Sequence, residues 1–310
     1  MTSTYSHALV TGGAGFIGSR LARRLLDDGL EVTVLDNLSV GTPEAVDSRA
    51  RLVVGDVRNQ ATVVRALDGV DCVFHLAAQV TIRGSIERFY DDVDNTLMGT
   101  VNLLRCVDPT HIKQFTLASS MAVYADASSP APIPETHACL PLSPYGVSKL
   151  ASEQICGQIL ALREVPFTGL RYFNTFGPGQ TFTPYVGVIT IFITKLLRGE
   201  RPVIFGDGEQ QRDFVHVDDI VAGTAASLGG PAGVFNLGTG RPTSVNRLAK
   251  LLVDKIAPGL KPEHAPAHPG ELRFSIADIT RASAQLHYRP QRSLEADIEA
   301  LITSIEANLS

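Results

Sequence analysis

Tyr145 and Lys149 stand one helical turn apart in SPYGVSKLASEQ, and Ser120 closes the apolar run QFTLASS that precedes them. A phenol ordinarily titrates near pH 10 and is a poor base at neutral pH, but a neighbouring ammonium favours phenolate. Such a pair can take a proton from an alcohol while hydride leaves the same carbon. A serine hydroxyl at the same point would hydrogen-bond the oxygen that becomes a ketone. By itself a Tyr and a Lys at helical spacing is a common surface contact. The pair gains weight from the elements that must bring all three residues together.

HALVTG, LEVTVLD, ARLVVGD, DCVFHLAA and QFTLASS read as buried strands ending in small or polar residues. Between them FIGSRLARRLLDD, NQATVVRALDG and the stretch ending NTLMGTVNLLRCV carry apolar residues at helical spacing. SPYGVSKLASEQICGQILALRE continues as a helix and VPFTGLRYF as a strand. Alternation of this kind predicts an α/β fold, a doubly wound parallel sheet with helices on both faces. The carboxyl ends of its strands share one edge, where ligands bind, so Ser120, Tyr145 and Lys149 should converge there.

The first strand runs into TGGAGFIGSRL, which fits both G-x-G-x-x-G and the looser G-x-x-G-x-x-G. Glycines permit the tight turn and let the backbone approach a pyrophosphate seated on the helix N-terminus. Gly12, Gly15, Phe16, Ile17 and Gly18 are the candidate contacts. Asp36 ends the second strand at about the usual 20-residue spacing from the last glycine. A carboxylate there accepts from both ribose hydroxyls and repels a 2′-phosphate, and Asn37-Leu38-Ser39 supply no arginine, so NAD is favoured over NADP. Asp56, followed by Val57, is placed either to reach an adenine amino group or to cap a helix. The backbone of His75, Leu76, Ala77 and Ala78 should line the same edge, with His75 a packed strand residue.

Bulk composition narrows the class. With 310 residues, 44% hydrophobic, the chain can bury a full core in one large domain or two intimate lobes. The net charge of -5, without Lys/Arg runs interleaved with aromatics, argues against a nucleic-acid partner. No secretory signal and no membrane-spanning apolar stretch is read, and the scattered cysteines 72, 106, 139 and 156 look like reduced thiols without metal spacing. A cytoplasmic protein is expected. The division expected is a Rossmann domain over 1–172 and a smaller substrate-binding part over 173–310. The two are interleaved, with DFVHVDDIVAG among the segments returning to the main sheet.

TGGAGFIG, HLAA, SSMAVY, YGVSK, LRYFNTFGPG, RDFVHVDD and FNLGTG, ordered over nearly the whole chain, resemble the extended short-chain dehydrogenase/reductase family. The branch is that of UDP-glucose 4-epimerases and NDP-sugar dehydratases. The resemblance implies Ser120, Tyr145 and Lys149 as the catalytic triad, Asn174 against a sugar nucleotide and Arg212 on its diphosphate. It also implies a homodimer built from the catalytic helix and the helix before it. Without it, Asn174 reads as a loop cap and Arg212 as a surface ion pair. The chain departs from the family where His268 and Glu271 replace an Arg and an Asp, so that phosphate binding there is expected to be weaker, pH-dependent or shifted to Arg273, and where Thr96 replaces an Asn.

Dehydratases of this branch carry an Asp-Glu pair directly after the triad hydroxyl. Met121 and Ala122 stand there instead, and neither can transfer a proton. A 4-epimerase needs no acid or base beyond the tyrosine, and is the simplest reading. A 4,6- or 5,6-dehydratase with another acid/base, Cys139 being one candidate, is the alternative within the class. A non-enzymatic NAD-sensing module would not need the intact triad, and a net NADPH reductase is disfavoured by Asp36.

Overall fold

The computed structural model describes residues 4–79, 82–180, 187–267, 272–307 and 309, with Arg83 described without its side chain. His268 and Glu271 therefore lie outside the described residues. The first half runs β1 (His7–Thr11), α1 (Gly18–Asp27), β2 (Glu31–Asp36), β3 (Arg51–Val54), α2 (Gln60–Ala66) and β4 (Cys72–His75). Next come α3 (Ile82–Glu87), α4 (Phe89–Asp92), a π-helical stretch (Val93–Met98), α5 (Gly99–Cys106), β5 (Gln114–Ser120), α6 (Pro144–Leu162) and β6 (Phe167–Tyr172). The remainder is β7 (Asn174–Phe176), α7 (Val188–Leu197), β8 (Val203–Phe205), β9 (Gln211–His216), α8 (Val217–Ala226) and β10 (Gly233–Leu237). It closes with β11 (Pro242–Ser244), α9 (Val245–Ile256), β12 (Glu263–Ala265), β13 (Phe274–Ser275), α10 (Thr280–Gln285) and α11 (Leu294–Ala307).

Seven parallel strands form the main sheet in the order β10-β6-β5-β4-β1-β2-β3. Successive residues of a strand point to opposite faces, and here both faces are covered. Ala8 and Val10 of β1 pack with Leu21 and Leu25 of α1 and Val217 and Val221 of α8. Leu9, between them, packs with Val63, Leu103 and Leu160 on the other face. Strand order reverses between β1 and β4, so a crevice opens at their carboxyl ends.

The later segments correct one expectation. In DFVHVDDIVAG the strand β9 belongs to a separate four-stranded sheet with β7, β11 and β13. Only its helix α8 lies on the main sheet, against α1. The segment that rejoins the main sheet is GVFNL, as β10 beside β6. The helix expected through NTLMGTVNLLRCV has a π-helical entry, Val93–Met98, before α5. No helix among the described residues is long and apolar enough to cross a membrane.

A charged tie joins α6 to the sheet. Glu153 of α6 accepts from Arg171 of β6 at 2.9 and 2.7 Å and also from the Ser119 hydroxyl of β5, all three side chains being buried. Removing one member of a buried ion pair leaves the other uncompensated. Glu153→Ala is expected to lower the unfolding free energy by about 3–5 kcal/mol. A second replacement, Arg171→Met, should recover most of that loss in urea titrations; two independent, additive losses would show that the pair is not a tie.

Candidate functional site

The turn after β1 is built by backbone proximity. Gly12 takes φ +69°, a conformation that L side chains rarely adopt, and a Cβ on it would lie 2.9 Å from the Ala77 nitrogen. A Cβ on Gly18 would lie 2.1 Å from the Gly12 carbonyl, so α1 can begin directly over the turn only with glycine there. Ile17 offers α1 no side-chain cap; the Ser19 amide is taken by the Gly15 carbonyl at 3.0 Å, and the N-terminus of the helix still presents its positive end to an anion. Asp36, almost fully buried at the end of β2, accepts from the Ala14 amide at 2.9 Å and the Leu38 amide at 2.8 Å. Its carboxylate is thereby pinned at the rim of the crevice. This cradle, which a Cβ would fill, and this acid fit a dinucleotide.

Asp56 does not cap α2. Asn59 does, its side chain accepting from the Thr62 amide at 3.0 Å. Asp56 is gripped by the Arg58 guanidinium and backbone and by Asn37, and Arg58 holds its carboxyl down at about 2. It lines the crevice with Val57, Leu76, Ala77 and Ala78. The Ala77 amide donates to the Thr11 hydroxyl at 3.1 Å, which fixes the HLAA backbone beside the glycine turn. His75 is held between the Thr11 and Thr100 hydroxyls at 2.7 and 2.9 Å, and burial pushes its imidazole down to about 3. It is a neutral packed residue.

The catalytic trio does converge. Ser143 caps α6, accepting from the Gly146 amide at 3.2 Å, with Pro144 in the first turn. Gly146 is required because a Cβ there would stand 2.2 Å from the Ala122 carbonyl. The Lys149 ammonium donates to the Ala118 carbonyl at 2.8 Å, and the Ser120 hydroxyl accepts from the Ala122 amide at 3.2 Å. The two serines ending β5 thus divide their work: Ser119 joins the Glu153–Arg171 tie and Ser120 faces the crevice. The expected lowering of the phenol is not what burial produces. Tyr145 is pushed up to about 12 by desolvation, against a favourable hydrogen bond from Ser120 and with the Asp92 charge adding to the rise. Lys149 is pushed down to about 8 by the same desolvation.

Ser120, Tyr145 and Lys149 share one cleft of about 1470 Å³ with Gly12, Gly15, Phe16, Ile17, Gly18, Asp36 and Asn37. Met121 and Ala122, directly after Ser120, and Asn174 and Arg212 line it as well. The Asn174 side-chain amide nitrogen is buried without a hydrogen-bond partner among the described residues, on a residue that lines the cleft. Arg212 donates to the Gln211 carbonyl at 3.0 Å. Arg273 is corrected: its guanidinium pairs with Asp207 at 2.8 Å, and Leu272 beside it lines the cleft instead. Cys139 packs against the cluster around Tyr124 and Met121 and is not among the residues lining the cleft, and burial raises its thiol. Sequence reasoning missed the apolar part of the lining, Ile189, Phe192, Val203 and Phe205 with Gln210, which α7, β8 and the turn before β9 supply. It also missed Asp92, buried behind the catalytic helix.

Comparison with known proteins follows the same lines. A model of the NAD dependent epimerase/dehydratase family matches residues 8–238. The UDP-glucose 4-epimerase of Mycolicibacterium smegmatis is 35% identical over 299 residues, 94% of this chain and 95% of that protein. UDP-glucose 4-epimerase from Thermotoga maritima, solved with UDP-glucose, has a TM-score of 0.92 at 35% identity, covering 98% of this chain and 100% of that one. UDP-glucuronic acid 4-epimerase from Bacillus cereus, solved with UDP-glucuronic acid and NAD, has a TM-score of 0.89 at 31% identity over 97% and 99% of the two chains.

Lys149 gives the site a pH signature. Its folded pKa of about 8 lies below the ordinary 10.5, so between those values the unfolded chain binds more protons than the folded one. Stability therefore rises with pH through that window. Lys149→Met removes the contribution. The unfolding free energy of the wild type relative to this variant should climb by roughly 3 kcal/mol between pH 7 and 10.5 in urea titrations, whereas a flat difference would mean that the lysine is solvated.

Proposed function

Since the chain belongs to the NAD dependent epimerase/dehydratase family, we propose that it is a UDP-sugar 4-epimerase acting on a UDP-hexose or UDP-N-acetylhexosamine. The observation that carries this reading is the wall beside Ser120. Met121 and Ala122 line the cleft next to the triad hydroxyl, where dehydration would need proton-transfer groups. Cys139, the alternative acid/base, is not among the residues that line the cleft.

NAD in the glycine cradle supplies the hydride acceptor and a positive ring whose charge, with that of Lys149, favours the phenolate. The protein's part begins with Ser120, which hydrogen-bonds the sugar O4. Tyr145 takes the O4 proton as the carbon is oxidised and returns it after inversion. Lys149, fixed on the Ala118 carbonyl, holds the charge beside Tyr145. Asn174 and Arg212 grip the nucleotide diphosphate side, and the apolar lining of Phe192, Val203 and Phe205 suits a planar base. Asp36 binds the ribose of NAD and rejects a 2′-phosphate.

The same reading includes a homodimer. Phe89 (63% exposed), Tyr90 (74%) and Val93 of the helix before the catalytic one are exposed, as are Val147 and Leu162 of α6. Exposed apolar side chains on these neighbouring helices, two of them aromatic, suit a four-helix contact with a second copy. Tyr90→Glu is expected to shift sedimentation from dimer to monomer, and a wild type that sediments as a monomer would remove the proposal.

The functional test uses purified protein in D₂O with UDP-hexoses and UDP-N-acetylhexosamines, read by proton NMR. Inversion at C4 without deuterium on carbon is the expected result, since hydride is returned internally. Vinyl or methyl signals, or deuterium at C5 or C6, would make the protein a dehydratase. Tyr145→Phe should slow inversion by about 10²–10⁴-fold.

A further inference from the structure

Asp92 ends α4, opens the π-helical stretch and is 0% exposed. A carboxylate taken out of water needs hydrogen bonds on both oxygens, or a cation, to offset its lost hydration. Oδ2 accepts from the Ser148 hydroxyl at 2.7 Å. Oδ1 is equally buried and has no hydrogen-bond partner among the described residues. Desolvation raises the Asp92 carboxyl, and the Ser148 hydrogen bond and the charge of Lys149 act to bring it back down. Ser148 lies between Tyr145 and Lys149 on α6, so the hydroxyl that holds Asp92 belongs to the same helical turn as the reacting phenol and its ammonium. The π-helical stretch that follows Asp92 packs along α6, and such widened turns are frequent at functional sites.

The other groups around the lysine leave Asp92 as its anion. Glu153 of α6 also acts on Lys149, but its carboxylate is bound bidentately by Arg171. Cys156 of α6 stays a thiol because burial pushes it up, and His75 of β4 stays neutral. Asp92 acts electrostatically on Lys149 and on Tyr145 alike.

We propose that Asp92, held by Ser148, is the counter-charge of Lys149 and a positioning residue for the reaction: it keeps the buried lysine an ammonium and fixes it beside Tyr145. The inference rests on the epimerase reading for the reaction only, not for the electrostatics. A nearby anion raises the proton affinity of ammonium and phenol together, so its removal must lower both. Both limbs of a pH–rate profile then move the same way, which a merely structural role would not cause.

The test uses the full chain with NAD bound and ¹³C at the lysine Cε positions. Loss of a resonance in Lys149→Met identifies the signal of Lys149. Asp92→Asn keeps the shape and the Ser148 hydrogen bond but not the charge. The Lys149 midpoint is expected to fall by about one pH unit or more in this variant and to return toward the wild type in Asp92→Glu. The profile of UDP-glucose turnover should move as a whole to lower pH. An unmoved midpoint in folded Asp92→Asn overturns the proposal. Where Asp92→Asn does not fold, the reciprocal measurement decides: the Asp92 carboxyl resonance must titrate at higher pH in Lys149→Met than in the wild type, and an unchanged titration overturns it. A moved midpoint in a protein that inverts no UDP-sugar supports the counter-charge and counts against the epimerase reading alone.

Discussion

An ammonium withdrawn from water forfeits hydration worth several kcal/mol, and at Lys149 the chain offsets this with one carbonyl, that of Ala118 at 2.8 Å, and with the negative charge of Asp92, the Glu153 carboxylate being bound by Arg171. The hydrogen bond runs from the second turn of α6 to the last residues of β5, and it is directional where the surrounding packing of Cys156 and Leu160 is not. It therefore sets how far the helix slides along the strand. With that offset fixed, Tyr145 one turn earlier falls beside Ser120, and the Ala122 carbonyl arrives so close to the helix that only glycine fits at 146. One turn later the Ser119–Glu153–Arg171 tie repeats the constraint between α6, β5 and β6. Two charged ties on one helix face hold the phenol where chemistry requires it.

The cofactor side obeys a different rule. There the elements meet through bare backbone: Gly12 against the HLAA segment and Gly18 against Gly12. Side chains are excluded so that helix amides and the Asp36 carboxylate can present themselves at the crevice. The parallel sheet brings the two solutions together, since β1, β4 and β5 are neighbours and all end on the same edge. The separate sheet of β7, β9, β11 and β13 then supplies the outer wall, with Asn174 on β7 and Arg212 on β9.

What was legible in the sequence follows from range. The strands of the first half, the glycine turn and the Tyr-Lys turn are local patterns, and they stand where the periodicity placed them. β10 is a five-residue strand whose place depends on a partner sixty residues away in β6, and nothing in GVFNL distinguishes it from a strand of the smaller sheet. Asp56 was ambiguous because capping is decided by one turn of backbone, and Asn59 took that role three residues later. The pairing of Arg273 with Asp207 joins segments far apart in sequence, and no local pattern shows it. At Tyr145 the charge argument must be joined by burial, since desolvation raises the phenol of the protein without its cofactor and no local pattern in the sequence shows how deeply the ring is buried. Asp92 was invisible because an acid among FYDDVDN looks like a solvated helix face, and only the packing of α6 over it shows otherwise.

On the proposed reading, the contrast between the two ends of the sugar-nucleotide cleft is itself mechanistic. Inversion requires the oxidised sugar to present its opposite face to the same phenol and the same hydride donor, while the nucleotide stays in place. Directional contacts belong at the end that must not move, and Asn174 with its unpartnered amide and Arg212 stand there. At the end that must turn, hydrogen-bonding groups would lock one orientation, because such bonds weaken steeply off axis. Met121 and Ala122 contribute dispersion alone, which changes little as a ring rotates past them. The residues that deny the site a dehydratase's proton transfer are thus the same ones that leave the sugar free to turn, so one apolar dipeptide accounts for both what the cleft cannot do and what it is suited to do.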